Sequence, residues 1–292
     1  MRKTLLWVAL TLLCAARLFA MPAYNDWILF HQPNSKITLN IRLFGDEKVH
    51  WAEDEDGYTL LHGDDGALYY AMKDDDGGII PSKTLAKPKE MRNQVDEIVL
   101  SMRPKHLRYS QRQVNEMLSL WKQVEEHASK QKTMGDVVGT KKFLVILFAF
   151  QDQAFTHGKT EFMAMFNQVN YHVDFATGSV HDYYYDVSYG QFSLSVDVVG
   201  PFTGSESTAH YGSDNSGYQD FATEAVDSAS QYVDFSDYDN DDDGYIDGLH
   251  IIFAGHGEEA GAGSDKIWSH KWNIFSEPTY NNTIINVYSC SP

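Results

Sequence analysis

The chain has 292 residues, 43% of them hydrophobic and 13% aromatic, which is enough for a substantial core and excludes global disorder. Acids outnumber bases 41 to 23, for a net charge of −18. That balance excludes the basic face that nucleic-acid binding requires and opposes adsorption to an anionic membrane.

Arg2 and Lys3 precede an apolar run from Leu5 to Ala16. The run is too short to cross a bilayer as a helix, so no stable membrane insertion is expected. Small residues follow, with Ala20 and Ala23 as candidate cleavage positions. Residues 1–20 therefore read as a secretory signal peptide and predict a secreted or extracellular protein. Their loss removes Arg2, Lys3 and Arg17 and no acid, which takes the net charge from −18 to −21. Cys14 follows Leu13, where a lipoprotein signal needs a small residue, so it reads as an ordinary apolar position. Cys290 is then the single remaining cysteine: a thiol with a partner elsewhere, a reactive thiol, or a buried inert one. The chain stops at Ser291-Pro292 without a terminating element and reads as a fragment.

Residues 37–72 predict short strands between turns. Ile37, Leu39, Ile41 and Leu43 alternate with polar residues, the period of a half-buried strand. Gly45-Asp46, Asp56-Gly57 and Asp65-Gly66 are turn signals, and Tyr58–His62 with Ala67–Met72 predicts a hairpin. Asp74–Gly78 reads as a solvated turn. Residues 88–130 turn helical, divided at Pro104. Ser110 and Gln113 have capping-box spacing, and Val114, Met117, Leu118, Trp121 and Val124 recur on one helical face. The polar stretch 131–142, with Gly135 and Gly139, predicts an exposed linker.

From Phe143 the pattern changes. Phe143–Phe150 is a continuous apolar run, as in a strand buried on both faces. Phe162, Met163, Phe166 and Val169 predict a helix, Phe192–Val198 a one-sided strand, Tyr218–Ala225 a second helix, and Leu249–Ala254 a second buried strand. The tyrosine run Tyr183-Tyr184-Tyr185 reads as packing. The whole predicts an α+β protein: a β-rich and helical domain over 21–130, then an α/β domain over 143–292.

Asp234–Asp247 holds seven aspartates in 14 residues. Asp239, Asp241 and Asp243 at relative positions 1, 3 and 5, then Gly244 at 6, match the start of an EF-hand-type loop. Ca²⁺ takes six to eight oxygens, and alternate side chains of a tight loop converge on one point. The expected ligands are Asp239, Asp241, Asp243, Tyr245 through its carbonyl, and Asp247. Position 12 is His250 rather than Glu, so a further ligand is expected from Glu258, Glu259 or Asp265. Without a cation these carboxylates repel one another.

His250, His256 and His270 cluster near Glu258 and Glu259, but no H-E-x-x-H or H-x-x-E-H occurs, so no zinc ligands are assigned within this chain. His250 reads as a packed core residue on its strand. His270, between Trp268 and Trp272, reads as part of an aromatic surface or cleft wall. No G-x-S-x-G nucleophile motif and no phosphate-binding glycine loop is present.

Four ordered motifs carry more. They are Thr177–Tyr184; Ser188–Phe192 leading into Asp197–Pro201; Phe235–Asp247; and Phe253–Glu258 followed by Ile267–Trp272. In this order they resemble the immune inhibitor A-like family of secreted bacterial zinc metalloendopeptidases. Upstream, Gly45–Glu47, His50-Trp51 and Asp54–Tyr58 are similar to that family's propeptide. The resemblance implies a zincin-like catalytic domain, here its N-terminal part, preceded by a propeptide that docks on it. It implies protein or peptide substrates, Ca²⁺, and a Zn²⁺ held by H-E-x-x-H whose Glu activates water. That helix is not in these residues, so as given the chain is expected to be inactive while the full protein is a peptidase. A second reading is a calcium-stabilised exported binding module or adhesin, with Trp268 and Trp272 as an exposed contact surface. A third is a pseudo-enzyme that never had the zinc helix.

Overall fold

The computed structural model of the protein describes residues 22–292 except 25, 34, 64, 129–137, 262 and 264. The proposed signal peptide and residues 131–137 of the proposed linker lie outside these.

Alternation in the sequence produces the first sheet. β1 (Trp27–His31), β2 (Thr38–Gly45), β3 (His50–Asp54), β4 (Thr59–His62), β5 (Leu68–Lys73) and β6 (Ile79–Leu85) form an antiparallel sheet in chain order. Leu39 and Ile41 face its core beside Phe30, Ala52, Leu60, Leu68 and Tyr70. Two helices follow, α1 (Gln94–Ser101) and α2 (Gln111–Ala128). Leu100 of α1 closes the core. The Ser110 and Gln113 backbone amides each find the other's side chain, as the spacing predicts. Gln113 also brackets Ile79, accepting from its N–H at 2.9 Å and donating to its carbonyl at 2.8 Å. One side chain thus caps α2 and docks it on β6.

Charge is buried here in pairs. Arg92, almost wholly inside, binds Asp54 at 2.9 Å and Asp56 at 2.5 Å, and Glu53 accepts from Arg108 and contacts His106 at 2.8 Å. The Arg92 hydrogen bond holds Asp56 below the usual carboxylate range, whereas burial outweighs the partners of Asp54 and raises it.

The second module is built on β7 (Gly139–Ala149), which lies between β8 (Phe192–Thr203) and β9 (Leu249–Phe253), parallel to both. β13 (Val287–Ser291) extends the parallel set beyond β9, and β10 (His270–Asn273) closes it as an antiparallel edge. The remaining elements are α3 (Lys159–Asn167), α4 (Val180–Val187), α5 (Thr208–Tyr211), α6 (Asp214–Ala229) and a hairpin of β11 (Thr279–Tyr280) and β12 (Thr283–Ile284). Leu144, Ile146 and Phe148 pack against Phe221, Ala222, Ala225 and Val226 of α6. Val145 and Leu147 face the other way, toward Phe166 of α3 and Val180 of α4. The apolar run is thus covered on both faces, as a parallel sheet requires.

Several expectations are corrected. Residues 139–142, read as the end of the linker, are the first four of β7, because the long β8 pairs with them from Phe192 onward. Their polar side chains suit the acidic loop they meet. Val169 lies beyond α3 and is exposed, as is Met163. Tyr183, Tyr184 and Tyr185 are all more than a third exposed, although Tyr184 packs edge-on against buried Phe192 and Tyr185 stacks on His181. Trp268 and Trp272 are 2% and 3% exposed, which removes the proposed aromatic contact surface. On α2, Val114, Met117 and Leu118 are half-buried; the side chains of Trp121 and Val124 lie outside the described ones.

The modules touch through the Tyr24 N–H and Glu259 carbonyl at 3.2 Å, Ile28 against Gly261, His50 on Trp268, and α2 beside β10. Ile251 sits at the centre of the second core with no exposure. Ile251→Ala is expected to cost about 2–5 kcal/mol, measured by urea unfolding.

Candidate metal centre

The acidic segment joins α6 to β9, and apolar anchors fix its ends. Phe235, Tyr238 and Ile246 are buried in the main core. Asn240 pins its middle to β7, accepting from the Lys142 N–H at 2.8 Å and donating to the Lys142 carbonyl at 3.0 Å. Ile284 pins its far side, pairing with the Gly244 carbonyl and the Ile246 N–H. The tight turn uses left-handed backbone at Asp242 (φ 57°) and Gly244 (φ 85°), as the position-6 glycine requires.

This brace makes the carboxylates converge. Asp239, Asp241 and Asp247 each place one oxygen within 4.8 Å of the others. Asp239 accepts the amides of Asp243 at 3.0 Å and Gly244 at 2.8 Å, and Asp247 accepts that of Asn240 at 2.5 Å. The buried Oδ1 of Asp241 has no hydrogen-bond partner. A buried anionic oxygen left in this way is costly unless a cation meets it. Burial first, then the neighbouring Asp241 and Asp239, push the Asp247 carboxyl above its ordinary value. An all-oxygen carboxylate set of this kind suits Ca²⁺. Asp243 stands outside the converging group, and its Oδ1 accepts the Tyr245 N–H at 3.0 Å. The proposed additional ligands are elsewhere: Glu258 faces His50, Glu259 holds Ser269, and Asp265 lies beside Lys266. Sequence reasoning missed Asn240, whose role depends on a strand nearly 100 residues away.

The histidines do not assemble a zinc site. His250 is clamped between Ser289 Oγ at 2.9 Å and Ser291 Oγ at 3.0 Å. His256 is exposed on a separate turn. His270 is inside rather than on a cleft wall: its Nδ1–H donates to the Trp268 carbonyl at 2.6 Å and its Nε2 accepts from the Tyr288 hydroxyl at 2.7 Å. Both ring nitrogens are thus committed to neutral partners. Among the described residues, the converging set of possible metal ligands is the aspartate one, and it contains no His or Cys. The residues present therefore fit calcium and not a catalytic zinc.

Cys290 lies 3.5 Å from His270 Nδ1, and burial pushes its thiol far above the ordinary range. Among the described residues the Cys290 sulfur is free and buried. Burial pulls His270 down to about 4. A histidine depressed on folding stabilises the fold above the unfolded value near 6.5 and loses that contribution as pH falls toward 4. Acidification from pH 7 to 4 is expected to remove roughly 3 kcal/mol through this group. His270→Gln is expected to reduce the dependence of urea stability on pH over that range and to leave the part due to His250, which burial also lowers to about 4.

Residues 128–289 match the family described as immune inhibitor A peptidase M6, catalytic domain. A 122-residue stretch is 36% identical to immune inhibitor A of Bacillus thuringiensis subsp. alesti, covering 33% of this chain and 18% of that protein. A 133-residue stretch is 31% identical to the pre-pro-metalloprotease PrtV of Vibrio cholerae serotype O1, strain M66-2, covering 37% of this chain and 14% of that protein. The aligned part of the chain thus spans less than a fifth of either relative. With the match extending over more than half of its residues, the chain belongs to the immune inhibitor A family of M6 peptidases.

Proposed function

We propose that the chain is the propeptide and the N-terminal part of the catalytic domain of an exported zinc metalloendopeptidase acting on protein or peptide substrates. The family match over 128–289 carries this reading. Residues 21–130 are the propeptide-like domain, residues 1–20 the signal peptide, and the α/β module the start of the catalytic domain. Zinc, in this reading, is held by residues outside these 292, since neither the motif nor a suitable described cluster is among them. The residues present supply the sheet, one wall of the cleft and a structural calcium site. The propeptide docks along β10, where Met117 of α2 shares a cavity with Trp268 and Trp272.

The test compares two chains. Residues 21–292 alone are expected to leave casein intact. A chain that also carries the family's H-E-x-x-H segment is expected to cleave it, once its propeptide is cut, and to stop with phenanthroline. Chelator-sensitive cleavage by the short chain would overturn the assignment. Silence of the longer one would favour the binding-module or pseudo-enzyme readings.

We also infer that Asp239, Asp241 and Asp247 bind one Ca²⁺, with Asp243 and the Tyr245 carbonyl completing the loop. The unpartnered Asp241 oxygen supports this. At 100 times its dissociation constant, Ca²⁺ is expected to add about 2.7 kcal/mol. The thermal midpoint rises in Ca²⁺, falls in EDTA, and in Asp241→Asn no longer responds. Equal midpoints in the wild type would remove the site.

A further inference from the structure

The contact between the two modules is sparse. Two cavities lie within it, of about 520 and 970 Å³. The first is walled by Trp51, Tyr109, Gln113 and Met117 on one side and Tyr218 and Trp272 on the other. The second lies between the β1 and β4 ends and Ala209, Ser213 and Asp265. An interface bordered by such open clefts gains less from apolar packing than a filled one. Its specific contacts then decide whether it stays closed.

One of those contacts can titrate. His50, the first residue of β3, reaches across the interface with its Nε2 3.5 Å from Glu258 Oε1. Its ring stacks on buried Trp268 at 4.3 Å, and its Nδ1–H donates to the Asp46 carbonyl at 3.1 Å. Nδ1 is thereby fixed as a donor, so Nε2 meets Glu258 as N–H only when the ring is a cation. The charged groups around it are Glu258 across the interface, Asp46 in its own turn, and His62 on neighbouring β4, with Asp265 near His62. Glu47 lines the same cavity, and α2 contributes the neutral Gln113 and Met117. Burial pulls His50 down, but the Glu258 hydrogen bond and charge, with Asp46, more than offset it, and the net shift is upward. Burial dominates at His62 and lowers it.

We propose that His50 and Glu258 form a pH-dependent latch that holds the N-terminal module on the α/β module in mild acid and releases it as pH rises. The sign follows from linkage. A histidine raised on docking contributes fully below its free value and loses that contribution as pH climbs through its docked value. As regulation of a peptidase this rests on the propeptide reading above. As a latch between two modules it does not, and the experiment reads only the latch.

The measurement is amide hydrogen exchange of the full chain between pH 5.5 and 8.5, corrected for intrinsic rates, over residues 46–51 and 256–261. Protection there is expected to fall about two- to fivefold toward pH 8.5, the range of a partly exposed ion pair. The β7 core, 144–148, serves as the internal control and stays protected. In His50→Gln and in Glu258→Gln the interface segments are expected to be less protected at pH 6 and no longer to change between pH 6.5 and 8.5. An unchanged pH response in His50→Gln, or none in the wild type, overturns the latch. A second readout needs no variant: the NMR titration of the His50 ring is expected above 6.5, and a midpoint at or below 6.5 overturns it as well. Casein cleavage enters neither readout, so failure of the latch and failure of the peptidase reading are separately visible.

Discussion

The second module depends on one strand having neighbours on both edges. β7 is laddered to β8 and to β9, so its backbone is satisfied sideways and its side chains must be satisfied above and below. Leu144, Ile146 and Phe148 meet α6, while Val145 and Leu147 meet the side of α3 and α4. The acidic loop inherits its geometry from the same strand. Asn240 is bonded at both of its amide atoms to the backbone of Lys142, so the loop that carries the carboxylates is tied to the start of β7. Packing and ion geometry are therefore one constraint. A cation at Asp239, Asp241 and Asp247 would be read directly by the sheet.

Much of this was legible in the chain's periodicities. A one-sided alternation at Leu39 and Ile41 marked an antiparallel strand, and the unbroken run from Phe143 marked a buried parallel one. The aspartate spacing and Gly244 marked a turn that focuses oxygens. These signals are local, and local backbone geometry enforces them. The errors arose where a distant segment decided the outcome. Trp268 and Trp272 lie in a polar-looking stretch, yet His50 covers one and Tyr218 of α6 contacts the other. His270 is buried because its neighbour β13 carries Tyr288 and Cys290 to the same spot. Lys141 and Lys142 looked like linker because their partner is an acidic loop some hundred residues away rather than an apolar core.

The two modules bury charge in opposite ways. In the first, several carboxylates are met by a cation of the chain itself: Asp54 and Asp56 by Arg92, Glu53 by Arg108 and Asp96 by Lys87. In the second, the three converging carboxylates have no basic side chain among them and lean on backbone amides, with one oxygen left over. A domain of the first kind is electrostatically self-sufficient. One of the second kind would gain from a cation supplied by its surroundings.

Cys290 has a practical consequence. It is the sole cysteine of residues 22–292, sits on the central sheet, and is 4% exposed with its thiol held protonated by burial. Alkylation therefore has to wait for a motion that uncovers the sulfur. The chain carries its own single-site clock. The rate at which a thiol reagent labels Cys290 in the native buffer counts the openings that expose β13, from the β9 side or the β10 side, with no probe introduced and no residue replaced.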